Sequence, residues 1–102
     1  MSIVGNWDVR IKTPVGSLHV VYRFDRDESG VTGIATGKGE TVPCTDIAVA
    51  REGGGQRVRW RQSVTKPMRL TLDFDVLVQG DQLSGHSRAG RLPRSTVVGT
   101  RC

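Results

Sequence analysis

Apolar and polar residues alternate along most of this chain. Trp7, Val9 and Ile11 are interleaved with Asp8, Arg10 and Lys12, and beyond Thr13-Pro14-Val15-Gly16 the alternation resumes through Leu18, Val20, Tyr22 and Phe24. A period of two belongs to a strand that buries one face, so these segments predict a hairpin. After the polar stretch Asp25 to Gly30 come a weaker strand through Val31, Gly33 and Ala35, the Gly37-Lys38-Gly39 turn, and a fourth element over Val42 to Val49. A break is expected there near Pro43, because proline cannot donate to a ladder. Glu52-Gly53-Gly54-Gly55 leads into Arg57 to Val64, where Val58, Trp60, Gln62 and Val64 share a face. The longest alternation sets Met68, Leu70, Leu72, Phe74, Val76 and Val78 against Arg69, Thr71, Asp73 and Asp75. Gly80-Asp81 then turns into Leu83 to Arg88, and Gly90 to Pro93 turns into Ser95 to Arg101.

These segments predict an all-β protein of about eight short strands with almost no helix signal. Sequential hairpins of this kind suit an eight-stranded antiparallel up-and-down barrel, because closure removes the unpaired edges. A small sandwich is the rival. Gly33, Gly85 and Gly99 lie inside predicted strands, where they weaken a flat sheet but permit the tight coiling of a small barrel, and so favour closure. One domain over residues 1–102 accounts for the whole pattern, with no linker or low-complexity stretch.

Length changes the picture by limiting the core. A domain of 102 residues buries only about 60 to 65% of the surface of its unfolded chain, so a ligand cavity competes with the packing that holds the fold. A homodimer would supply the missing burial, and self-association is expected. Charge is uneven: the +5 total splits into six basic and seven acidic residues through Gly55, then nine basic and three acidic from Gln56. One face or end is therefore expected to be positive. Cys44 and Cys102 show no CxxC spacing, no signal-like segment precedes Gly5, and no apolar run approaches the roughly 18 residues of a membrane span. The expectation is a reduced, cytoplasmic protein with no membrane partner.

The chain ends carry a resemblance. Gly5-Asn6-Trp7 opens the first strand and Gly99-Thr100-Arg101 closes the last, which resembles the lipocalin, avidin and fatty-acid-binding superfamily of barrels. The resemblance implies that Trp7 plugs the base and that Arg101 lies across it. With Thr13-Pro14-x-Gly16, Leu72-x-Phe74 and Gly80-Asp81-x-Leu83-x-Gly85 added, the pattern is similar to a group of small bacterial barrel proteins and covers nearly the whole chain. It implies a lipocalin-like or avidin-like plan. Activities differ widely on such scaffolds, so the resemblance informs fold more than function.

Candidate chemistry is sparse. No nucleophile elbow, phosphate loop, dinucleotide fingerprint or zincin motif is present, so hydrolysis and cofactor chemistry of those kinds have no support and no cofactor is expected. His19 and His86 share no ligand spacing with Asp46, Glu40 or Cys44, and no metal is expected. Cys44 has no base beside it and reads as a small buried apolar residue. Arg57, Arg59 and Arg61 form a basic row, yet all the aromatics fall on inward phases, and Asp73 and Asp75 are placed to pair with the row. A nucleic-acid partner is not expected. Tyr22 and Gln62 stand out as polar residues on the inward phase, where each needs a partner or a ligand.

The reading is a barrel that binds a small, largely hydrophobic molecule carrying a polar or anionic group. Phe24, Trp60, Met68, Leu72 and Phe74 would form its apolar wall and Arg88 a positive rim. The alternative is a cofactor-free cyclase or isomerase of a specialised metabolite, using Tyr22, Gln62 and, if it faces the lumen, His86 for proton transfer or electrostatic stabilisation. A purely structural barrel with a packed interior is a third reading.

Overall fold

A computed structural model describes residues 2–14, 16–65 and 69–102. Eight strands follow one another: β1 Gly5–Thr13, β2 Gly16–Asp27, β3 Gly30–Gly37, β4 Glu40–Glu52, β5 Gly55–Val64, β6 Leu70–Gln79, β7 Gln82–Arg88 and β8 Ser95–Arg101. Each pairs antiparallel with the next, and β8 pairs with β1 through Trp7↔Arg101 to Lys12↔Thr96. The sheet is therefore a closed up-and-down barrel, and among the described residues there is no helix.

Alternation decides which side chains enter. Trp7, Val9 and Ile11 of β1, Tyr22 and Phe24 of β2, Val58, Trp60 and Gln62 of β5, and Phe74, Val76 and Val78 of β6 are buried, while their neighbours in sequence face water. Barrel closure also requires close backbone approach. A Cβ on Gly85 would stand 2.0 Å from the Asp75 carbonyl oxygen, so only glycine lets β7 lie this near β6. Gly33 leaves room for the Phe24 ring in the same way, since a Cβ there would meet it at 2.6 Å.

Pro43 does not break β4, contrary to the sequence expectation. The Lys38-Gly39 turn has both residues at positive φ, and the flanking Gly37↔Glu40 pair closes it. Counting from that pair, Pro43 falls opposite Ile34 at a non-hydrogen-bonded position, so the β3–β4 ladder loses no bond there. The irregularity sits further on, between Thr45 and Ala48, where Asp46 takes φ 53° and β4 shifts register on β5.

Because the strands alternate up and down, the turns fall into two sets. The β2–β3, β4–β5 and β6–β7 turns share one end with both chain termini, and the β1–β2, β3–β4, β5–β6 and β7–β8 turns share the other. The first end is sealed. Residues 2–4 cross it, with Ile3 fully buried and its N–H donating to Gln56 Oε1 at 3.1 Å. Trp7 Nε1 donates to Ile3 O at 2.7 Å, and the Arg101 guanidinium lies 4.4 Å from the Trp7 ring centroid. Arg101 also donates to Val4 O and Ser2 O, both at 2.7 Å, to Gly80 O at 3.1 Å and to Asp81 at 2.9 Å.

Candidate functional site

The middle of the barrel is filled by aromatic rings. Trp60 stacks on Phe74 with centroids 4.8 Å apart, Tyr22 stacks on Phe24 at 5.8 Å, and the two pairs meet edge to face at 5.2 to 6.1 Å. Phe24, Trp60 and Phe74 are thus core, each 3% exposed or less, and not the wall of an open lumen.

Above this layer, toward the unsealed end, the inward side chains change character. Leu18, Val20, Val42, Val64, Leu70 and Leu72 point inward but are only partly covered. They form an apolar cup. Its floor is polar: Gln62 is 3% exposed and its carboxamide oxygen accepts from Tyr22 Oη at 2.8 Å and from Trp60 Nε1 at 2.9 Å. An indole N–H can only donate, which fixes the amide orientation, and Tyr22 must then donate to the same oxygen. The Gln62 oxygen is fully used. Its Nε2 has no acceptor among the described residues, yet no fully buried polar atom among them lacks a partner, so the amide nitrogen reaches the space above. Ser87, also 3% exposed, stands opposite Phe74 on one side and Ser95 on the other, adding hydroxyls to that level.

Proton chemistry is poorly served by this arrangement. Burial pushes the Tyr22 phenol well above its ordinary range, Cys44 nearby adds to this, and the contacts with Gln62 and Trp60 pull the other way. The phenol stays neutral and its proton is committed to Gln62. Burial likewise pushes the Cys44 thiol up to about 12, so it is a thiol and not a nucleophile at neutral pH.

His86 and Arg88 lie elsewhere. In register His86 pairs with Asp75 and Thr96, and Arg88 with Asp73, all on the outer phase. Both line an outer groove of about 480 Å³ with Asp46, Arg59, Arg61 and Arg94. The lumenal base and the lumenal rim cation are therefore corrected: even positions of β7 face outward because Leu83, Gly85 and Ser87 face inward. His19 is also on the outside, against Asp8. Met68 lies outside the described residues. The basic row of β5 is paired, Arg57 and Arg59 with Asp75 at 3.2 and 3.3 Å and Arg61 with Asp73 at 2.8 Å. Sequence reasoning missed Ser87, Ser95, Val42, Leu18, Val20, Val64 and Leu70 as site residues. Period-two phase marks them as inward, but only the assembled barrel shows which level each occupies. Among the described residues no cluster of His, Cys, Asp and Glu is arranged to hold a metal ion.

Comparison with known proteins returned no matching family model, no matching curated protein and no matching solved structure.

Proposed function

We propose that this barrel binds a small, largely apolar molecule at its unsealed end, with the polar group of the ligand neutral and accepting hydrogen bonds. The observation that carries this is the Gln62 amide, buried beneath a partly covered apolar cup with its oxygen consumed by the fold and its two N–H donors left over. A carbonyl or ether oxygen placed there would accept from the Gln62 amide N–H while the apolar remainder of the ligand packs against the cup. No inward-facing cation among the described residues lies at this level, since Arg88 is outside and Arg101 is engaged at the sealed base. That favours a neutral group over the anionic one that sequence alone allowed.

Binding is favoured over cyclisation or isomerisation, because the described lumenal residues offer hydrogen-bond donors but no group that exchanges a proton near neutral pH. Native mass spectrometry of protein purified from its own host tests the reading. A stoichiometric adduct that is released on denaturation, is apolar and uncharged, and is lost in Gln62→Leu is the expected result. A charged adduct, or one equally retained by Gln62→Leu, contradicts it.

A further inference from the structure

Closing the barrel sorts its charges by end. The unsealed end carries Lys12 beside the β1–β2 turn, Lys38 in the β3–β4 turn, Arg69 before β6, and Arg88, Arg91 and Arg94 at the β7–β8 connection, all exposed. Among the described residues the carboxylates at that level are Glu40, which accepts from the backbone and hydroxyl of Thr65, and Asp73, which stands opposite Arg88 and pairs with Arg61. The sealed end holds Asp25, Asp27, Glu28, Glu52 and Asp81 against Arg26, Arg51 and Arg101. In sequence these residues are scattered, and an expectation of no membrane partner is natural. In the fold, among the described residues, six cations and two carboxylates gather around this end.

Leu92 sits among these cations. It is 52% exposed, the most exposed large apolar side chain among the described residues, and it lies between Arg91 and Arg94. Its presentation is built: Leu92 N donates to Ala89 O at 3.0 Å, Gly90 takes φ 57° in the turn so closed, and Arg88 Nε donates to Leu92 O at 3.1 Å. The outer faces of β1 and β5 alternate charged residues outward, whereas the unsealed end gathers cations around Leu92.

We propose that the unsealed end docks reversibly on an anionic lipid surface, with the cup facing the bilayer and Leu92 entering the headgroup region. Anionic lipids attract clustered Lys and Arg, and an apolar side chain among them supplies the second signal that surface attachment needs. A nucleic acid fits less well, because Trp7, Tyr22, Phe24, Trp60 and Phe74 are all buried and offer no stacking platform.

Co-sedimentation with vesicles of phosphatidylcholine, with and without phosphatidylglycerol, tests this on the intact protein. Binding is expected only to the anionic vesicles and is expected to weaken with salt. Each cation removed at the unsealed end is expected to cost about fivefold in affinity, so Arg91→Glu with Arg94→Glu should abolish sedimentation. Leu92→Ser should weaken it severalfold without changing the salt response, and Arg26→Glu with Arg51→Glu, at the sealed end, should leave it intact. Circular dichroism of each variant checks the fold. No binding to anionic vesicles, equal binding to neutral ones, or equal loss from sealed-end variants would overturn the proposal. Competition by soluble polyglutamate that is as strong in Leu92→Ser as in the parent would point instead to an acidic protein and would also overturn it.

Discussion

The Gln62 oxygen takes both of the buried donors around it, so replacing this residue strands them, whereas replacing Tyr22 strands nothing. Gln62→Leu is expected to destabilise by about 1 to 3 kcal/mol for each donor left without a partner, and Tyr22→Phe by about 1 kcal/mol. The double variant should cost less than the two together, because the phenol is no longer there to be stranded. Urea unfolding of the three variants measures this, and strict additivity would contradict the shared acceptor. Cys44 adds a pH dependence of definite sign. Its thiol is pushed up from an ordinary 9.0 to about 12, so the folded chain keeps a proton that the unfolded chain releases in between. Stability is whole below that window and falls across it by up to about 1.4 kcal/mol per pH unit, with Tyr22 acting in the same direction. Cys44→Ala should flatten this alkaline loss in thermal unfolding. At neutral pH, thiol reagent should consume Cys102, which is exposed, before Cys44.

At the scale of strands, the barrel depends on places where two backbones nearly touch. Gly85→Ala would put a methyl group 2.0 Å from the Asp75 carbonyl, and no rotamer relieves a clash with backbone, so a loss of more than about 3 kcal/mol is expected. An unchanged unfolding midpoint would contradict the close approach. Such elements explain how far the sequence could be read. Alternation in Trp7 to Ile11, Leu18 to Phe24 and Leu70 to Val78 marked three strands and their buried faces, because period two is a property of each strand alone. The β4 bulge was not legible: Asp46 adopts a positive φ where β4 shifts register on β5, a demand of tertiary pairing, while Pro43 leaves β4 unbroken. His86 was undecidable for a related reason. Gly85, lacking a side chain, and Ser87, lacking an apolar one, leave β7 with Leu83 alone to announce its phase.

For the whole molecule, position along the barrel axis separates the closed, packed levels from the proposed binding end. The sealed end is consumed by Trp7, Arg101 and residues 2–4, the aromatic layer fills the centre, and at the far end Leu18, Val20, Val42 and Leu72 are partly open above the Gln62 amide. This division is invisible in sequence, where Gln62 and Gln56 look alike; one meets Trp60 beneath the cup and the other holds the Ile3 N–H at the base. In the proposed function the Gln62 amide receives a neutral acceptor. Isothermal titration with a matched pair, a medium-chain methyl ketone and the carboxylate of the same chain length, tests it most directly, using the parent protein and Gln62→Leu. The ketone is expected to bind at least about tenfold more tightly than the carboxylate, and Gln62→Leu to remove most of that preference. A carboxylate that binds as well as the ketone, or a preference untouched by Gln62→Leu, would contradict it.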